Sequence, residues 1–198
     1  PDEPVTRAET ATVIFRVLLA GNKNEPVDNP FSDVPEDEWY AQPIKYLASI
    51  GILKGDPEGT FRPDALITRA EFAAIISGFH MSADAGDNRF ADTEGHWAAD
   101  YINGAAAKGW VSGYPDGTFQ PENRLTRAEI VTAVNRMMYR WIKTDDIPDW
   151  APRYTDIDDS HWAYAAIIEA SVGHEYERNE DGSEIWIRHR DFTKVIEV

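Results

Sequence analysis

Pro1-Asp2-Glu3-Pro4-Val5-Thr6-Arg7-Ala8-Glu9 opens the chain. The phrase returns as Pro63-Asp64-Ala65-Leu66-Ile67-Thr68-Arg69-Ala70-Glu71 and as Pro121-Glu122-Asn123-Arg124-Leu125-Thr126-Arg127-Ala128-Glu129. All three copies share Thr-Arg-Ala-Glu, which has the spacing of a capping box: the Thr hydroxyl accepts from the third helical N–H, and the Glu reaches back to the cap. Each copy therefore predicts a helix start. Apolar residues follow at helical spacing in Val13-Ile14-Val17-Leu18, Phe72-Ile75-Ile76 and Ile130-Val131-Val134. Within the tetrad, Thr and Glu serve the cap and Ala packs. Arg has no evident structural duty, and in the first turn it opposes the helix dipole. Arg7, Arg69 and Arg127 are therefore expected to face an anionic ligand.

A second phrase interleaves with the first: Phe31-Ser32-Asp33-Val34 leading to Trp39, Phe90-Ala91-Asp92-Thr93 leading to Trp97, and Tyr154-Thr155-Asp156-Ile157 leading to Trp162. Another helix is expected behind each tryptophan. Gly51 and Gly109, each twelve residues after its tryptophan, mark helix stops. Between the two kinds of helix lie Gly55-Asp56-Pro57-Glu58-Gly59-Thr60-Phe61 and Gly113-Tyr114-Pro115-Asp116-Gly117-Thr118-Phe119. Proline followed two residues later by glycine is turn chemistry. In the third copy His174 stands at the helix stop, and Arg178 to Glu184 replaces the turn motif. Ile185-Trp186-Ile187-Arg188 then alternates like a short edge strand.

The expected fold is mainly α, in helix-loop-helix repeats about sixty residues apart, each packing on its neighbours. Residues 1–30 read as the second half of a repeat plus linker, 31–80 and 90–140 as complete repeats, and 154–198 as a first half plus a divergent end. The polar stretches Gly21 to Pro30, His80 to Arg89 and Lys143 to Arg153 read as linkers. Because the chain opens on one kind of half and closes on the other, closure is expected, with the helix at Thr6 completing the unit begun at Trp162. Residue 1 already lies inside a repeat phrase, so the natural protein is expected to continue upstream.

Composition narrows the function. The 198 residues carry a formal charge of -16, which disfavours nucleic acid and anionic membranes as partners. No run approaches the ~20 apolar residues of a membrane span. Cysteine is absent, which excludes thiolate zinc sites and cysteine nucleophiles. No cofactor and no metal are expected: the Asp-rich turns lack calcium-loop spacing, and His174-Glu175-Tyr176-Glu177 and His189-Arg190-Asp191 read as surface charge. Every prominent carboxylate belongs to a repeated phrase, whereas a glycosidase pair is singular, so the chain reads as no enzyme.

Phe-x-Asp…Trp, Gly-Tyr-Pro-Asp-Gly-Thr-Phe-x-Pro and Ile/Leu/Val-Thr-Arg-Ala-Glu together resemble the bacterial S-layer homology domain over most of the chain. The resemblance implies noncovalent anchoring of an exported protein to the cell wall. It also implies a three-repeat, pseudo-threefold spindle with three prongs, and a secondary cell-wall polysaccharide bearing acidic, often pyruvylated, amino sugars in grooves between prongs. By motif position the groove residues would be Arg7, Arg69, Arg127, Asp33, Asp92, Asp156, Trp39, Trp97, Trp162, Gly55, Gly113 and Tyr114.

The chemistry of these residues suits such a ligand. An arginine fork pairs with a carboxylate, aspartates accept from hydroxyls, an aromatic face stacks on a sugar, and Gly113 lets a ring approach the backbone. Each has a structural rival: the tryptophans share the helical phase of the buried face, and the aspartates precede helix starts as caps do. Asp56, standing where the other turn has Tyr114, is expected to weaken its groove. The chain is read as a monomeric module of a larger surface protein, with a wall-glycan enzyme fragment or a protein–protein scaffold as alternatives.

Overall fold

A computed structural model describes residues 1–18, 27–79 and 88–190. Most of the linkers Gly21 to Pro30 and His80 to Arg89, and Asp191 of the His189 cluster, lie outside the described residues. The described chain is mainly helical: α1 (Arg7–Leu18), α2 (Ala41–Ser49), α3 (Arg69–Ser77), α4 (Ala99–Ala107), α5 (Arg127–Met137) and α6 (Tyr164–Ser171). One antiparallel hairpin follows, β1 (His174–Arg178) with β2 (Glu184–His189).

The tetrads start their helices as the spacing predicts. In α3 the Thr68 hydroxyl accepts from Glu71 N while Glu71 accepts from Thr68 N, and Thr126 and Glu129 repeat this reciprocity at α5. Thr6 and Glu9 make the same two bonds at α1, at 3.1 and 2.8 Å. Helices α2 and α4 end at Gly51 (φ 78°) and Gly109 (φ 71°). There Gly51 N–H donates to Ala48 O and Ile52 N–H to Leu47 O, with the same pattern at Gly109 and Trp110. This is the Schellman arrangement, which needs a left-handed residue. At the end of α5 the left-handed place is taken by Tyr139 (φ 54°), and Arg140 N–H donates to Asn135 O.

The chain divides into two compact units, Glu3–Leu125 and Pro1–Asp2 with Thr126–Val198. In the first, α1 packs on α2 and α3 on α4. Its core includes Ala70, Ala73, Ala98, Ile102 and Phe119, with Phe90 and Val111 packed against it. The residues that precede the three tetrads meet here: Val5 N–H donates to Leu125 O, Leu125 N–H to Ile67 O, and Ile67 N–H to Val5 O, at 3.0, 3.0 and 3.1 Å. Three identical positions thus satisfy one another's backbone in a closed ring. In the second unit α5 packs on α6, and Ile142, Ala151, Tyr164, Ile168 and Trp186 form the core.

Helix packing is offset by half a repeat from the sequence units. Each tetrad helix packs on the tryptophan helix that follows it, so α1 already has α2 as its neighbour and α6 has α5. The third turn also departs from the sequence expectation. Asn179 N–H donates to Ser183 O and Gly182 N–H (φ 85°) to Asn179 O, as Asp56 does to Thr60 and Gly59 to Asp56, and as Tyr114 does to Thr118 and Gly117 to Tyr114. The turn survives because the left-handed glycine and the residue three before it carry the geometry; proline is dispensable.

Candidate functional site

The arginines of the first two tetrads have a structural duty after all. Arg7 is 8% exposed and Arg69 7%. Arg7 Nε donates to Phe61 O at 2.9 Å, Nη2 to Lys54 O at 3.2 Å, and Nη1 to Glu71 Oε1 at 2.9 Å. Arg69 repeats the pattern with Phe119 O and Ser112 O, both at 2.9 Å. Each guanidinium lies over the ring of the same turn's phenylalanine, Arg7 over Phe61 at 4.6 Å and Arg69 over Phe119 at 4.4 Å. The arginine therefore staples both ends of the turn onto the helix start, using donors in a fixed fork that lysine lacks. Burial lowers the Arg7 guanidinium pKa, opposed by the Glu71 carboxylate. Arg127, by contrast, is exposed.

Asp33 and Asp92 hold the same turns from the other side. Asp33 Oδ1 and Oδ2 accept from Phe61 N and Arg62 N, both at 2.7 Å, and Asp92 accepts from Phe119 N and Gln120 N at 2.8 and 2.7 Å. Arg62 and Gln120 have φ of 57° and 56°, and two successive N–H groups in that conformation make a small anion cradle filled by the chain's own carboxylate. Neither aspartate caps the following helix: α2 and α4 have no side-chain N-cap bond. Asp156 differs, lying exposed with its carboxylate 3.9 Å from Pro1 N, and Glu184 N–H donates instead to Trp141 O.

Gly55 and Gly113 admit a ring, and it is the chain's own. A Cβ on Gly55 would sit 2.4 Å from Phe31 Cε1, and one on Gly113 would sit 2.3 Å from Phe90 Cε1. Each Phe of the Phe-x-Asp phrase thereby reaches the Phe of its turn, with centroids 5.3 Å apart in both copies.

The tryptophans leave the buried face that their helical phase suggested. Trp39, Trp97 and Trp162 are 56%, 59% and 62% exposed. They precede α2, α4 and α6 by two residues, outside the helical frame from which their phase was read. Trp97 rests on His96 (5.6 Å) and Trp162 on His161 (5.8 Å). Each histidine Nδ1 accepts from a backbone N–H, of Ala98 or Ala163, and each Nε2 bonds an acid, Glu122 at 2.9 Å or Asp2 at 3.2 Å. Those acids sit two places into the opening phrase of a tetrad copy. Sequence reading missed the histidines, although their recurrence immediately before two of the three tryptophans is a visible signal.

Tyr114 is partly exposed, with its ring 4.9 Å from the Arg69 guanidinium. Asp56, its counterpart, has its charge matched locally by Arg62 Nε at 2.6 Å. The structure thus gathers Arg69, Gly113 and Tyr114 about one turn, which Asp92 holds from its far side. The repeated surface it presents is an exposed indole in each copy and a phenol in one.

Comparison with known proteins agrees with this repeat structure. Residues 30–73 and 89–131 match the S-layer homology domain. The cellulosome-anchoring protein of Acetivibrio thermocellus is 37% identical over 201 residues, covering 96% of this chain and 44% of that protein. Cell surface glycoprotein 1 of the same organism is 37% identical over 191 residues, 89% of this chain and 8% of its own length. An amylopullulanase of Thermoanaerobacterium thermosulfurigenes is 34% identical over 142 residues, 68% of this chain and 8% of the enzyme. The chain thus spans less than half the length of each of these relatives. Its S-layer homology repeats place it outside the cell, at the cell surface.

His174 contradicts its reading as surface charge. It is buried with Glu169 and Glu184, and its Nε2 lies 2.9 Å from Glu184 Oε2 and 3.5 Å from Glu169 Oε2. Burial raises the Glu169 carboxyl pKa, opposed by the Arg140 guanidinium.

Proposed function

We propose that the chain is a noncovalent anchoring module that holds a larger surface protein to a secondary cell-wall polysaccharide with acidic, pyruvylated amino sugars. The observation that carries this reading is the exposed indole present at the same place in each of three copies, braced by histidine in two of them. An exposed, immobilised aromatic face is costly in water and suits the apolar face of a pyranose. Asp33 and Asp92 act on the groove indirectly, by fixing the turns, as do Gly55, Gly113, Arg7 and Arg69. Tyr114 adds a second stacking surface over Arg69. Arg127, exposed to solvent, is the tetrad arginine placed to offer a fork to a sugar carboxylate, and Asp156 accepts from a hydroxyl.

The module acts as a monomer built from three pseudo-repeats closed into a pseudo-threefold spindle with three prongs. The ring of bonds among Val5, Ile67 and Leu125 supports this closure, as does a second recurring bond: Ala8 N–H to Pro63 O, Ala70 N–H to Pro121 O and Ala128 N–H to Pro1 O. No catalytic step is assigned. Enzymes among the relatives carry the matched region as a small part of their length, as the amylopullulanase does.

The test is sedimentation with wall sacculi that retain the polysaccharide and with the same sacculi after its extraction. The chain is expected to pellet with the first only, and Trp39, Trp97 and Trp162 all changed to Ala to abolish pelleting. Equal pelleting with both preparations overturns the reading.

A further inference from the structure

Three side chains of the divergent copy have no place in the anchoring surface. The common turn register aligns Glu184 with Phe61 and Phe119, each following its left-handed glycine by two residues. Counting from the tryptophans aligns His174 with Gly51 and Gly109, and Glu169 with Tyr46 and Gly104. Thus, where two copies bury a phenylalanine, the third buries a glutamate, and a second glutamate and a histidine converge on it. Glu169 and Glu184 are both at 0% exposure and the His174 side chain is equally enclosed. Burying two carboxylates is expensive unless something compensates each one.

The hydrogen bonds sort the carboxylate oxygens. Glu169 Oε1 takes Arg140 Nε and Nη2 at 2.8 and 2.6 Å, and Glu184 Oε1 faces Arg178 Nη2 at 3.5 Å. Both Oε2 atoms turn to His174, and Trp186 Nε1 steadies Glu169 Oε2 at 3.0 Å. His174 Nδ1 lies 2.9 Å from Val172 O, which only accepts, so Nδ1 carries the hydrogen. In the neutral ring, the Nε2 lone pair then points at two carboxylate oxygens. Three lone-pair atoms on one point need either a proton on Nε2 or a metal cation between them. An N–H to carbonyl bond on the far side of the imidazole, with arginine and indole bonds behind the carboxylates, is the outer shell that orients metal ligands.

We propose that Glu169, His174 and Glu184 form a site for a divalent transition metal of the zinc class, which pins the β1–β2 hairpin to α6. A tetrahedral ion ~2.0–2.2 Å from such ligands spaces them roughly 3.3–3.6 Å apart. The observed separations from Nε2 are 2.9 and 3.5 Å, and the three ligand atoms lie within 4.8 Å of one another. One imidazole with two carboxylates suits zinc and its neighbours better than calcium or magnesium, which take oxygen alone. A cavity of about 400 Å³, lined by Arg140, Ser171, Gly173, His174, Tyr176 and Arg190, lies beside the site, while the His174 side chain itself is fully enclosed.

The test uses the intact chain stripped with chelator, titrated with zinc by calorimetry and with cobalt(II) by visible absorption. One equivalent is expected to bind, with the intense bands of tetrahedral cobalt, which zinc then displaces. Trp186→Phe, which loses the outer-shell donor and part of a core ring stacked on His174, is expected to weaken binding ~10–100-fold. His174→Gln and Glu184→Gln each go beyond that range. Should those two variants fail to fold, the cobalt spectrum of the unaltered chain decides alone. Absence of binding would mean that a proton on Nε2 fills the gap, and would overturn the proposal. Weak octahedral bands, or unchanged affinity in folded His174→Gln, would place the metal on surface carboxylates and overturn it equally.

Discussion

Changing Arg69 to Ala separates the structural arginine from a purely ligand-facing one. The substitution removes two charge-assisted bonds to backbone carbonyls, at Phe119 and Ser112, and a guanidinium stacked on Phe119. Bonds to a charged partner contribute ~1.5–3 kcal/mol each, and a buried cation over a ring adds ~0.5–2. Water entering the vacated space recovers part of this, so the net loss is about 3–4 kcal/mol. For a chain of this size 1 kcal/mol moves Tm by ~2–4 °C, so the melting point should fall by roughly 6–16 °C. Arg127→Ala, on an exposed side chain, should cost no more than about 1 kcal/mol and lower Tm by at most ~2–4 °C. Differential scanning calorimetry of both variants makes the comparison. If Arg69→Ala melts like the unaltered chain while wall binding is lost, the staple is not what the arginine is for. If Arg127→Ala is as damaging as Arg69→Ala, the distinction between the copies fails.

Further outcomes follow from single contacts. Gly113→Ala drives a Cβ into Phe90 and Thr118 O and should cost ~1–3 kcal/mol, a loss that Phe90→Leu in the same chain partly restores; chemical denaturation measures both. Tyr139→Gly relieves a left-handed tyrosine at the end of α5 and should raise stability by up to ~1 kcal/mol, read as a higher Tm. The Thr118 hydroxyl and N–H hold the Asp116 carboxyl below its usual range, so its contribution to the turn is present above the ordinary aspartate value of ~3.9 and lost as pH falls through the lowered one. Protection of the 113–119 amides, taken relative to intrinsic exchange at each pH, should therefore fall in acid, and Asp116→Asn should remove that dependence.

Local features of the fold were legible because each is written in a few adjacent residues. A capping box spans four positions and a Schellman stop depends on one glycine, so the helix starts at Thr6, Thr68 and Thr126 and the stops at Gly51 and Gly109 follow from sequence alone. The roles of Arg7, Arg69, Asp33 and Asp92 were not legible, because their backbone partners lie 27 to 54 residues away in sequence. The dipole argument correctly marked the arginine as out of place in its own helix, but the compensation comes from the carbonyls of a distant turn. The tryptophans misled for a related reason: helical phase was extended two residues beyond the helix. In the divergent copy the turn was hidden by loss of proline, and the burial of His174 and Glu184 by their charged neighbours in sequence.

Calorimetric titration with a pyruvylated amino-sugar fragment and with its unmodified counterpart tests the central claim most directly. The account predicts saturable binding of the pyruvylated fragment, at least ~10-fold tighter than the unmodified one, since a charge-assisted fork contributes ~1.5–3 kcal/mol. Equal affinity for the two, or binding of neither, would contradict it.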